Sequence, residues 1–211
     1  VEWIVRLPIL FFSIMVHEVT HGIVALRQGD DTAKRAGRLT FNPLPHVDIM
    51  GSVLLPIFCL VSHLPLIGWA KPVPVNPTKM RRRRWGTFIV ALAGPVSNLV
   101  LALGAAVLFR AVASMSFISP EFQKNLLGAL LFGVSINVFL AFFNLLPIHP
   151  LDGGKVMSGL LPQRYRIRYD RHAPYGFAII LLLVSFGWVN RLVVAPAELT
   201  LDLFMKMGLI W

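Results

Sequence analysis

The 211-residue chain predicts an all-α integral membrane protein. It should have about four transmembrane helices, a re-entrant or broken hydrophobic hairpin, a small membrane-associated β segment and a C-terminal interfacial helix. Three observations predict this. Hydrophobic residues make up 56% of the chain and mean hydropathy is +0.70, more than a soluble core of this size needs. The apolar residues fall in blocks of about 20, enough to cross a hydrocarbon layer of roughly 30 Å as a helix. The formal charge of +10 is concentrated between those blocks, in Arg81, Arg82, Arg83 and Arg84 and again in Arg164, Arg166, Arg168 and Arg171. Basic residues so placed mark cytoplasmic loops rather than a nucleic-acid surface. The single Cys59 excludes an internal disulfide and reads as a buried apolar residue.

Each element follows from local pattern. Residues 2–26 form the first crossing; without a basic start or a small-residue cleavage site, the segment reads as a retained helix rather than a signal peptide. A polar stretch follows, with a turn at Gly29-Asp30-Asp31, a short strand expected at 38–41, and His46 and Asp48 ordering the loop. Residues 51–67 are apolar but interrupted by Pro56 and Pro65. In WAKPVPVNP, residues 69–77, the prolines exclude a helix interior and suit an extended edge segment. Residues 86–109 and 126–146 are the second and third crossings, and PIHPLDGG stops the latter. A basic loop leads to a fourth crossing at 174–195, and residues 197–211, apolar with spaced charges, suit an interfacial helix. No repeat or long linker divides the chain, so residues 1–211 read as a single domain.

One segment contradicts a simple lipid-facing helix. VHEVTHG, at 16–22, places two histidines and a glutamate in the first apolar run. Positions four apart share a helical face, so His17 and His21 can grip one metal ion, with Glu18 beside them. This is the H-E-x-x-H pattern: zinc accepts two imidazoles and one further protein ligand and keeps a position for water, whose proton the glutamate can take. A core histidine that is merely hydrogen-bonded explains the cluster poorly, because three desolvated ionisable groups cost several kcal/mol unless something pairs them. For the third ligand, the metzincin extension fails at Val24 and Arg27. Glu2 lies at the far end of the helix, and Glu121 and Glu198 lie elsewhere. Asp152, just past the third crossing, is the better candidate.

Depth agrees with that choice. If the loops at 79–84 and 155–171 are cytoplasmic, the 86–109 helix runs outward, the 126–146 helix returns inward and the C-terminus lies outside. Asp152 and the His17/His21 end of the first helix then share the cytoplasmic side. Residues 51–67 must in consequence enter and leave by the same face.

These residues resemble the site-2 proteases, a family of intramembrane zinc metalloproteases. HEVTH at 17–21, AGPVSN at 93–98 and NLLPIHPLDGG at 144–154 are similar to three family motifs in the expected order. FNPLPHVDIMG and GWAKPVPVNP further resemble a compact bacterial subgroup without PDZ or CBS domains. The resemblance implies hydrolysis of peptide bonds in or near transmembrane segments, serving regulated intramembrane proteolysis or signal-peptide clearance. One zinc ion would be held by His17, His21 and Asp152, with Glu18 as general base. It also implies that Asn98 and Asn144 hold substrate, and that the edge segment, through Val73 and Val75, pairs with an unwound substrate. The implied partners are transmembrane proteins or peptides and the lipid bilayer, in a bacterial inner membrane with the active site toward the cytoplasm. Gly94-Pro95 is expected to kink its helix and allow close approach. His149 departs from the family pattern and reads as tuning the site or capping the turn, His63 falls in the hairpin and His172 on a basic surface.

Two other readings compete. A metal-ion transporter would carry acids or histidines at several depths, yet 86–109 and 174–195 contain none. A non-cleaving relative that only binds membrane helices would have no use for Glu18 beside the metal.

Overall fold

The structure is a computed structural model describing residues 2–62 and 71–211, and every regular element among them is helical. Among the described residues three helices are long and apolar enough to cross a membrane: α1 (Glu2–Arg27), α4 (Arg83–Ala113) and α5 (Pro120–Asn144). Between the first two lie a short α2 (Thr32–Arg35), a π-helical turn (Ile49–Leu54) and α3 (Leu55–Val61). After α5 come α6 (Asp152–Leu160), α7 (Gln163–Asp170), α8 (Gly176–Ser185) and α9 (Ala195–Lys206).

α4 is the central element, packing on α1, α5 and α6. Small side chains permit this. Ala102 and Ala106 are fully buried between α4 and its neighbours, beside Val134 and Val138 of α5, and dispersion at such close approach replaces the hydrophobic drive that lipid removes. The opposite side of α4 exposes Val96, Val100, Leu103 and Val107, a lipid-compatible stripe at helical spacing. On α1 the buried stripe is Ser13, His17, His21 and Ala25, each four residues from the last. Polar and ligating groups thus face α4 while Ile4, Phe12 and Ile23 face outward.

Several sequence expectations change. Residues 174–195 are not one straight crossing: α8 has 10 residues, about 15 Å of rise, too short to span. Gly187, at φ 70°, ends that helix, and the next one departs at 90°. Among the described residues, the one candidate for a fourth crossing is this bent pair, Gln163–Ser185 with Asn190–Lys206. The C-terminal helix is also more than an interfacial element: Ala197, Phe204 and Ile210 enter the α4/α5 core, and Trp211 meets Phe109 edge-on at 4.4 Å. Residues 38–41 form no strand. Their groups are used locally, since Asn42 N–H donates to Thr40 Oγ1 at 3.0 Å and His46 Nε2–H to Thr40 O at 2.9 Å. His46 and Asp48 do order this loop, Asp48 Oδ1 accepting from Gly51 N–H at 2.8 Å.

The described part of the edge segment, residues 71–76, is likewise not a strand. Prolines at 72 and 74 supply no N–H, and the donors beside them bind separate acceptors instead of a ladder. Lys71 N–H donates to His46 O at 2.8 Å and Asn76 N–H to Asp30 Oδ2 at 2.5 Å. The second half of the expected hairpin, with His63 and Pro65, and the start of the edge segment lie outside the described residues. α4 runs unbroken through Gly94-Pro95.

Candidate metal centre

The centre is assembled from the buried stripe of α1, the middle of α4 and the first residue of α6. His17 Nε2, His21 Nε2 and Asp152 Oδ2 form a nearly equilateral triangle, with separations of 3.0, 2.9 and 3.0 Å. All three residues are buried, at 5%, 7% and 5% exposure. The α1 register delivers the two imidazoles. Asp152 is delivered by a tight turn after α5 that requires glycine: a Cβ on Gly153 would stand 2.2 Å from Leu145 O. Asp152 opens α6, where the helix dipole favours its charge.

The outer nitrogens of both imidazoles are already committed. His17 Nδ1–H donates to Asn98 Oδ1 and His21 Nδ1–H to Val90 O, each at 2.6 Å. Both acceptors are carbonyl oxygens, so the protons belong on Nδ1 and both Nε2 lone pairs turn inward. Two lone pairs and a carboxylate oxygen then face one another at about hydrogen-bond distance with no proton among them, which is repulsive unless a cation shares them. For bonds of about 2.0–2.1 Å, tetrahedral zinc needs ligand atoms about 3.3 Å apart. The donor set therefore fits zinc, and among the described residues it is the one group of three such side chains able to hold an ion. The rings are also closely walled: a Cβ on Gly94 would fall 2.5 Å from His21 Nε2 and 2.6 Å from His17 Cε1.

Behind His17 runs a buried amide chain. Asn98 Nδ2 donates to Asn137 Oδ1 at 2.9 Å, and Asn137 Nδ2 donates to Ser13 Oγ at 2.8 Å. The resemblance puts Asn98 on the substrate. The structure instead buries it completely and uses its amide to orient His17. Such outer partners fix ring orientation and ligand basicity. Asn137 and Ser13 escaped the sequence reading; their signal was an amide and a hydroxyl inside otherwise apolar crossings, which need buried partners.

A groove of about 330 Å³ opens onto the triangle, lined by Glu18, Val73, Val75, Asn144 and Lys155 among others. Glu18 Oε2 accepts from Val73 N–H at 2.8 Å, tying the edge segment to the acid beside the ligands. Asn144 lines the groove and donates from Nδ2 to Leu140 O at 3.0 Å. Lys155, not singled out in the sequence, places Nζ 3.2 Å from Asp152 Oδ1. His149 does not reach the triangle: its Nε2–H donates to Asp170 Oδ1 at 3.2 Å. His172 is structural rather than a surface base, its Nε2 accepting from His149 N–H at 3.2 Å.

Apolar spans enclosing a His/His/Asp cluster that fits zinc, with a glutamate beside it, match the class of membrane zinc metalloproteases. Comparison with known proteins agrees. Residues 111–186 match the model of peptidase family M50. YwhC of Bacillus subtilis, which carries a zinc metalloprotease name, is 38% identical over 175 residues, covering 82% of this chain and 77% of its own. Rip2 of Mycolicibacterium smegmatis, similarly named, is 34% identical over 85% of this chain and 66% of its own. The zinc metalloprotease MJ0392 of Methanocaldococcus jannaschii is 23% identical over 98% of this chain but only 48% of its own. No solved structure matches the chain. The chain belongs to peptidase family M50, the site-2 proteases, and its cofactor is zinc.

Proposed function

We propose that this protein hydrolyses peptide bonds within or near the transmembrane segments of membrane proteins, in regulated intramembrane proteolysis or signal-peptide clearance. His17, His21 and Asp152 hold the zinc ion, which when bound acts as a Lewis acid and lowers the pKa of water. Glu18 is the general base, accepting the proton of the attacking water and passing it to the leaving amine. Val73 N–H keeps the Glu18 carboxylate facing the groove. Asn98 serves as a positioning residue for His17, while Asn144 donates from the groove wall to the substrate carbonyl. Residues 71–76, with Val73 and Val75 on the groove, receive a substrate stretch unwound from its helix and replace part of its backbone hydrogen bonding.

The observation that carries this reading is the buried triangle of two imidazole nitrogens and a carboxylate oxygen beside Glu18, each about 3 Å from the next, within a bundle whose outer surface is apolar. We further propose a bacterial cell membrane with the site toward the cytoplasm, since the arginine run at 81–84 precedes the end of α4 nearest the ligands. The test pairs metal analysis with cleavage of a transmembrane peptide in proteoliposomes. Glu18→Gln should keep zinc and lose at least about a hundredfold in kcat, in line with loss of a general base; Asp152→Ala should lose both. Full cleavage by Glu18→Gln, or by metal-free protein, overturns the proposal.

A further inference from the structure

We propose that a second pocket, basic and contiguous with the metal groove, binds an acidic side chain of the substrate a few residues from the bond that is cut. This rests on the proteolytic reading above and adds a sequence preference to it. The pocket encloses about 380 Å³ and lies between the start of α4 and the α6–α7 corner. Four bases line it, Arg83, Arg84, Lys155 and Arg166, against one carboxylate, Asp170.

That carboxylate is already engaged. Asp170 accepts from Ser158 Oγ–H and from His149 Nε2–H, each at 3.2 Å, and faces Arg166 Nε at 4.0 Å. Arg84 is held rigidly, donating from Nε to Gly159 O at 2.7 Å and from Nη2 to Leu160 O and Leu161 O at 2.8 Å. Its hydrogen bonds all go to neutral carbonyls, so its charge stays uncompensated. Arg83 has no side-chain hydrogen bond or ion pair among the described residues, and it stands in the first turn of α4, where no acid balances the positive end of the helix. The pocket therefore carries excess positive charge on partly immobilised groups, suited to a carboxylate.

Continuity selects the occupant. Pro77, Thr87 and Lys155 line both cavities, so a polypeptide leaving the metal groove on this side meets the basic lining next. Lys155 faces Asp152 and Arg166 faces Asp170, so the excess charge rests on Arg83 and Arg84: an acidic substrate residue placed there gains charge-assisted contacts, whereas a basic one is repelled.

The test uses full-length, zinc-loaded Glu18→Gln protein, which binds without cutting, in zwitterionic detergent at low salt. Fluorescent transmembrane peptides with amidated C-termini carry glutamate or glutamine at successive positions flanking the groove-bound stretch. Glutamate at one or two adjacent positions should bind roughly fivefold to tenfold tighter than glutamine, an advantage that salt weakens. Adding Arg83→Gln and Arg166→Gln should abolish that advantage while zinc content and melting temperature hold; Arg84 is left intact because it fastens α6. Equal binding of all peptides overturns the pocket alone, as does an advantage that survives the arginine changes. An arginine effect seen only as lost retention of anionic lipid assigns the pocket to a phospholipid headgroup and overturns it too. No binding by any peptide overturns the proteolytic reading and this one together.

Discussion

Gly94→Ala tests how closely α4 is fitted to the metal ligands. The new methyl would stand 2.5 Å from His21 Cε1 and Nε2 and 2.6 Å from His17 Cε1, whereas ordinary contact begins near 3.4 Å. Relief requires a shift of about 0.9 Å between α4 and both rings. Metal sites tolerate about 0.2 Å in ligand distance, so this shift exceeds the tolerance several times over. The rings cannot simply turn away, because Asn98 and Val90 hold their other nitrogens at 2.6 Å. We expect zinc affinity to fall by at least about a hundredfold, or about 2.8 kcal/mol at 1.4 kcal/mol per factor of ten, with overpacking costing about 1–3 kcal/mol of stability besides. The assay is zinc retention against graded chelator, read beside thermal unfolding. Gly104→Ala in the same helix is the control: its Cβ would meet nothing within 4 Å, and zinc binding should be unchanged. Retention by Gly94→Ala within threefold of the parent would refute the fit argued for α4.

Three further outcomes are expected. Asn98→Leu removes the acceptor that fixes the His17 tautomer and strands Asn137, so zinc affinity should drop about tenfold to a hundredfold in the same chelator assay. Val73→Pro deletes the N–H that holds Glu18; cleavage should slow, mainly in kcat, while zinc stoichiometry stays at one per chain. Asp30 is buried where α1 meets the edge segment, accepting from Thr32 N–H, Thr32 Oγ1–H and Asn76 N–H, so Asp30→Ala should cost about 1–3 kcal/mol in denaturant unfolding. Burial raises the Asp30 carboxyl, but those bonds outweigh it and leave it below its ordinary value. Its stabilisation is therefore present above the ordinary carboxylate pKa and lost as pH falls through the lower folded-state value. Asp30→Asn should flatten that part of the acid-stability curve.

The sequence by itself determined the three long spans and the ligand face, because both are properties of near neighbours. Crossing length is a run of apolar residues, and a four-residue spacing puts His17 and His21 on one side of a helix whatever surrounds it. It also named Asp152, through the turn that must stop a helix at PIHPLDGG. Only the tertiary structure decided where each amide points. Asn98 meets His17 because α4 approaches α1 closely at Gly94, and Asn137 joins them only because α5 brings it to Asn98. The same holds for Val73 on Glu18, for Lys155 on Asp152, and for the break at Gly187 that divides an apolar run long enough to span. Each depends on which faces meet across long stretches of chain, and hydrophobic pattern, blind to partners, carries no record of that.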